Sequence, residues 1–168
     1  MASYKKLKPI ILQWEGGYAG NIDGAICTMK GVTLATFRRF YGKSKTCSDL
    51  KKISDAQWDS IFIQGYWNKI MGYAIHSQSI ANLLVDWYWM SGVYGIKYPQ
   101  QVLGVVADGV VGPKTIAAIN NYPNQKELFE KLWNRRKKYF EALGSKANNK
   151  KFLKGWLNRL SDFKWIDE

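Results

Sequence analysis

The stretch from Ile80 to Met90 sets the tightest limit on how this chain can fold. It is apolar on nearly every side of a helix, so a helix here has to be enclosed by other elements instead of lying on a surface. Asp86 interrupts it, and an ionised carboxylate in such surroundings needs partners. Two readings of Asp86 stand open: a buried, hydrogen-bonded acid that holds the domain together, or a substrate-binding group on the floor of a groove. With 168 residues, 46% of them hydrophobic, the chain is long enough to wrap such a helix in a proper core.

The rest of the chain also reads as mainly α. Tyr4, Leu7, Ile11 and Trp14 share one helical face. Pro9 fits that helix if it begins only a few residues earlier, and Gly16-Gly17 ends it through the left-handed cap that glycine readily adopts. Residues 18–30 read as a loop or a short hairpin, because Gly20, Asn21 and Gly24 are turn formers. Thr33 is placed to cap a helix that runs to Tyr41 and stops at Gly42. Ser54 with Gln57 forms a capping-box pattern ahead of Trp58, Ile61, Phe62 and Tyr66 at helical spacing. Asp108 to Gly112 reads as a turn, with Pro113 at the first position of the next helix. Asn124 caps a long helix to Leu143, ended by Gly144, and a last helix spans roughly Asn149 to Leu160. No linker is long enough to separate two free modules.

Composition narrows the chemistry. Eight Trp, ten Tyr and seven Phe exceed what a small core needs. Some are therefore expected to line a groove, where aromatic faces meet the apolar edges of sugar rings. The formal charge of +12 favours polyanionic partners. Twelve of the 25 basic residues lie after Pro123 on helical segments, where a solvated helix face accounts for many of them. No base-reading motif accompanies them, so nucleic acid is not the expected partner. Cys27 and Cys47 are the two cysteines and do not make a disulfide framework; whether they pair is left open. His76, the single histidine, has no ligand pattern beside it, and neither a metal nor a cofactor is implied. The N-terminus lacks both a long hydrophobic segment and a small-residue cleavage site, and no stretch reaches the length of a membrane span.

The informative constellation is Trp14-Glu15-Gly16-Gly17-Tyr18, followed by Asp23, Thr28 and Thr33. A glutamate at a helix C-terminus lies near the negative end of the helix dipole, and Trp14 and Tyr18 limit its access to water. Both effects favour the protonated form that glycoside hydrolysis needs in its general acid. The two glycines clear space for a bulky polymer. A second acid, or a water held by polar side chains, has to support the oxocarbenium-like transition state. Asp23 is the nearest acid, and Thr28 and Thr33 are suited to hold a water. A solvated glutamate at an ordinary helix end has the same local sequence.

These motifs, taken in order, resemble glycoside hydrolase family 108, the lysozyme-like muramidases earlier described as secretion activators. Glu15-Gly16-Gly17-Tyr18 matches the family's signature glutamate, and Thr28-Met29-Lys30-Gly31-Val32-Thr33 matches its Thr-Asn-Phe-Gly-Ile-Thr box. Tyr66-Trp67 matches the Tyr-Trp pair, and Asp86 with Ser91-Gly92 matches the later aspartate. Gln100, Leu103-Gly104-Val105, Asp108 through Thr115, and Gly155 through Arg159 resemble the C-terminal predicted peptidoglycan-binding segment. Three positions depart from the pattern: the acidic turn keeps only Asp23, Ala25-Ile26 replaces a Gly-Gly, and the loop is one residue shorter.

The resemblance implies a lysozyme-like helical domain with a short hairpin or loop after the first helix and C-terminal helices packed on it. Residues 1–92 are then the catalytic region and 93–168 the peptidoglycan-binding region. It implies hydrolysis of the β-1,4 bond between N-acetylmuramic acid and N-acetylglucosamine. Glu15, Asp23 and Thr28 are the expected catalytic residues, and Tyr18, Thr33, Tyr66, Trp67 and Asp86 the expected substrate contacts. Tyr66 and Trp67 suit core packing equally well, and the Asp108–Thr115 segment suits either ligand binding or a plain turn before a helix. The expected partner is the glycan strand of bacterial peptidoglycan, and the expected state a monomer. Such a chain is expected to be made in the cytoplasm without a signal peptide and to reach the wall on release or by holin-type export, as a prophage endolysin does. The competing reading is a non-catalytic wall-binding or regulatory protein that kept the fold.

Overall fold

A computed structural model describes residues 1–20 and 26–167. They group into two compact units, Lys8–Gly65 and Met1–Leu7 with Tyr66–Glu168.

Helix α1 spans Tyr4–Trp14, with Leu7 and Ile11 fully buried. Pro9 lies in its second turn, later than the sequence suggests, so the helix forgoes one backbone bond to Lys5. The helix stops at Trp14, but neither Gly16 nor Gly17 adopts the left-handed conformation expected of the cap. A three-stranded antiparallel sheet follows: β1 (Ala19–Gly20), β2 (Cys27–Met29) and β3 (Val32–Thr33). Lys30 and Gly31 both have positive φ, the requirement of the tight turn that joins β2 to β3. Gly20, at φ +114°, lies so close to the opposite strand that a Cβ would fall 2.5 Å from the Ile26 carbonyl oxygen.

Thr33 caps α2 (Leu34–Tyr41) by accepting from the Thr36 N–H. Helix α3 (Cys47–Lys51) was not foreseen; Thr46 and Asp49 form its capping box. The box read at Ser54 and Gln57 starts α4 (Asp55–Phe62), which buries Trp58, Ile61 and Phe62. A Cys27–Cys47 disulfide ties β2 to α3, and the Trp58 indole donates to the Lys30 carbonyl at 3.0 Å, tying α4 to the β2–β3 turn. Lys8 of α1 pairs with Asp59 of α4 at 2.7 Å.

After α4 the chain makes a π-helical turn, Ile63–Trp67, and a 3-10 turn, Gly72–Ala74. The second unit is then built on α5 (Gln78–Ser91), the buried helix announced by its sequence: Ile80, Ala81, Leu83, Val85, Asp86 and Trp87 are inaccessible to solvent. Around it pack α6 (Tyr94–Leu103), α8 (Gln125–Gly144) and, against α8, α9 (Lys150–Ser161), with α7 (Pro113–Asn120) against α6. Enclosing α5 in this way gains about 1.5–3 kcal/mol for each large apolar side chain removed from water. Pro113 opens α7 and the Asn124 side chain caps α8, as their sequence positions require.

Candidate active site

Within the Lys8–Gly65 unit, Glu15 follows directly on the last residue of α1, and its backbone N–H still donates to the Ile11 carbonyl at 3.0 Å. The side chain is half-buried. A Cβ added at Gly16 or Gly17 would meet nothing within 4 Å, so open space lies beside the glutamate. Tyr18 comes next, half-buried under the ammonium of Lys51, which lies 5.4 Å from its ring centre. Among the described residues, its hydroxyl oxygen is buried without a hydrogen-bond partner.

The sheet that follows brings two expected residues together. Thr28 on the central strand is paired directly with Thr33 on β3, and with Ala19 on β1. Directly opposed residues of an antiparallel pair project from the same face of the sheet, so both hydroxyl side chains share one side. Thr28 is half-buried, whereas the exposed Thr33 is engaged at the start of α2, its hydroxyl 3.1 Å from that of Thr36. Asp23, the expected second acid, lies outside the described residues.

Within the other unit, Tyr66 and Trp67 part company. The π-helical turn leaves Tyr66 half-buried, its ring edge-on to Trp89 at 4.6 Å and tilted against Tyr88 at 5.5 Å. These three aromatics, with Gly92, Val93 and Gly109, line an open pocket of about 280 Å³. Trp67 instead is 4% exposed, with Tyr4 edge-on to it. Its ring lies against Gly72, where an added Cβ would come within 2.6 Å of the indole. A ring covered in this way offers no face to a sugar, and Trp67 takes the packing role of the two considered for it. Tyr88 and Trp89 were missed as pocket residues because they sit in an apolar run. Nothing in that run marks where α5 leaves the core: the helix is buried through Trp87, and its last turn emerges half-exposed.

Asp86 is fully buried and engaged on both oxygens. Oδ2 accepts from Arg136 at 2.7 Å, and Oδ1 accepts from Arg159 Nη2 at 2.6 Å and Nε at 3.2 Å. Burial pulls the Arg136 guanidinium below its ordinary value, opposed by the Asp86 charge beside it. Of the two readings of Asp86, this geometry fits the acid that binds α5, α8 and α9 into one unit.

The Asp108–Thr115 segment is likewise organised from within. Buried Gln100 donates through its Nε2 to Asp108 Oδ1 and the Val110 carbonyl, both at 3.0 Å, and to Thr115 Oγ1 at 3.2 Å. Its Oε1 accepts from the Gly109 N–H. The Val110 N–H and then Gln100 hold the Asp108 carboxyl below its usual range. The polar residues of this motif shape the turn that precedes α7. Among the described residues, no cluster of His, Cys, Asp and Glu has the geometry to hold a metal, and no helix is long and apolar enough to cross a membrane.

A mainly helical chain with a small antiparallel sheet soon after a glutamate at the end of its first helix is compatible with a lysozyme-like fold. Residues 9–92 match the model of glycosyl hydrolase 108, and residues 94–161 match that of a predicted peptidoglycan domain. The chain belongs to glycosyl hydrolase family 108 and is a peptidoglycan-acting hydrolase. The solved structure of Brucella abortus SagA is similar over 95% of this chain and 90% of its own, with 29% identity and a TM-score of 0.80. No curated protein matches the chain. The two family matches divide the chain at a different point from the compact units, because α5 packs with α6 and α8.

Proposed function

We propose that the protein is an N-acetylmuramidase that hydrolyses the β-1,4 bond between N-acetylmuramic acid and N-acetylglucosamine, with Glu15 as general acid. The observation that carries this reading is the position of Glu15: a half-buried carboxyl at the end of α1, beside open space at Gly16-Gly17 and directly ahead of the sheet that pairs Thr28 with Thr33. Membership of a glycosyl hydrolase family supports it.

In this mechanism the Glu15 proton passes to the glycosidic oxygen as the C1–O bond breaks, and water adds to C1. The proton released by that water goes to Asp23 if the configuration inverts, or to the newly formed Glu15 carboxylate if a retaining route is followed. Thr28 and Thr33 help to place the water. Tyr18 contacts substrate beside Glu15, and Tyr66, with Tyr88 and Trp89, receives a sugar ring. Residues 1–92 form the catalytic region and residues 93–168 the region that holds the wall, and the enzyme works there as a monomer.

The test is clearing of peptidoglycan embedded in a gel, with mass analysis of the products. Wild type is expected to clear the gel and release reducing muramic acid ends, and Glu15→Gln to leave it opaque. Anhydro-muramyl ends would replace hydrolysis with lytic transglycosylation. If neither protein clears the gel while both still pellet with cell walls, the chain is a wall-binding protein without catalysis.

A further inference from the structure

We propose that the protein carries a second sugar-holding site, separate from the Tyr66 pocket, in the hollow between α8 and the C-terminal segment, and that it takes an N-acetylated hexosamine of the wall glycan. The proposal rests on the reading of the chain as a peptidoglycan-acting hydrolase.

The hollow measures about 420 Å³, within the usual range of ligand sites. It differs in kind from the gap of about 10 Å³ enclosed by Ile70, Leu84 and Ile96, which is only an interstice of packing. Its floor is buried Phe129 and Phe163, and its walls are half-buried Trp133 and Trp165. Both indoles donate hydrogen bonds. Trp133 donates to the Leu160 carbonyl at 3.1 Å, and Trp165 to the Asp167 carboxylate at 3.0 Å. The Ile166 N–H donates to Ser79 Oγ at 2.9 Å, which pins the terminal segment to α5. Trp133 is thus held before any ligand arrives, and Trp165 is steadied by the exposed Asp167 and the pinned Ile166 backbone, which lowers the ordering cost of binding.

An apolar floor alone would suit many occupants. Here exposed Glu130, Asn134 and Lys164 surround it, supplying an acceptor, an amide and a cation. That mixture suits a ring with one apolar C–H face and a fringe of hydroxyl and acetamido groups. The α8 side of the hollow, Phe129, Trp133 and Asn134, lies inside the segment matched to the predicted peptidoglycan domain, and Phe163 and Trp165 follow just beyond its end.

The test uses the full chain carrying Glu15→Gln, titrated with purified sacculi and, in competition, with peptide-free glycan strands or free stem peptide. The parent is expected to bind sacculi and to be displaced by the glycan strands. Trp165→Ala should weaken binding about tenfold and Trp165→Phe by less than about threefold. Asn134→Ala, on the exposed face of α8, should weaken binding with an unchanged melting temperature, which separates loss of contact from loss of fold. Parent-like binding by both Trp165→Ala and Asn134→Ala overturns the second site and leaves the proposed function standing. Displacement by stem peptide in place of glycan overturns the hexosamine assignment. A parent that does not bind sacculi at all overturns both.

Discussion

The carboxylate of Asp86 and the guanidinium of Arg136 meet at 2.7 Å with neither side chain exposed to solvent. Fifty residues separate them in the chain, and Arg159, further on still, closes on the other carboxylate oxygen at 2.6 Å. A single acid on the central helix thus anchors the two C-terminal helices.

Removing that acid leaves the buried Arg136 charge without its carboxylate, and losses of this kind cost about 3–5 kcal/mol. Asp86→Ala is therefore expected to lower the urea midpoint strongly, with Asp86→Asn intermediate because it keeps one acceptor. A stability within about 0.5 kcal/mol of wild type in either variant would mean that α8 and α9 are held mainly by other contacts.

Tyr66 and Trp67 are neighbours with different expected phenotypes. Trp67→Ala removes a buried indole packed on Gly72 and should cost about 3–5 kcal/mol of stability. Tyr66→Ala should cost less stability, about 1 kcal/mol from the lost Tyr88 and Trp89 ring contacts, and should raise KM for soluble peptidoglycan fragments several-fold. Measuring both quantities for both variants checks the assignment, and the reverse pattern would move the sugar surface to Trp67.

The sequence announced what short-range chemistry controls. The caps at Thr33, Ser54 and Asn124 and the Pro113 start of α7 depend on residues within one turn, and each could be read directly. Helix α3 is five residues long, too short for any periodicity, and only its Thr46–Asp49 box marks it. The π-helical turn at Ile63–Trp67 was invisible because Tyr66 continues the spacing set by Trp58 and Phe62, and a stripe of this kind does not say which residue leaves the core. The arginine partners of Asp86 lie too far along the chain for local reasoning to reach. Glu15, the proposed general acid, was singled out by its glycines and the motifs downstream of it, and the peptidoglycan assay is what tests that choice.

The pairing of Cys27 with Cys47 depends on two Cα atoms brought to 6.0 Å, which only the folded chain supplies. The closed loop spans 20 residues, for which cross-linking contributes about 3 kcal/mol. Cys27 also adjoins Thr28 on the central strand. Reduction, or Cys27→Ser with Cys47→Ser, is expected to lower the melting temperature and to reduce wall clearing as the β2 strand loses its tether to α3. Full activity with dithiothreitol at a temperature well below melting would show that the sheet keeps Thr28 in place without the bridge.

The Asp108 turn should make part of the protein's stability acid-sensitive. The carboxyl is held below its ordinary value of 3.8 by the Val110 N–H and Gln100. A folded-state value lower than the unfolded one means that the unfolded chain binds the proton more readily. The contribution is therefore complete well above pH 3.8, where both states are ionised, and is lost as the pH falls through the lowered folded value. Asp108→Asn preserves an oxygen that can accept from the Val110 N–H but cannot titrate. Compared with wild type, it should lose less stability between pH 6 and about pH 2.5, read from urea midpoints at each pH. An equal loss in both proteins would place the acid sensitivity on other groups, with Asp49 and Glu127, whose carboxyls are also lowered, the next to replace.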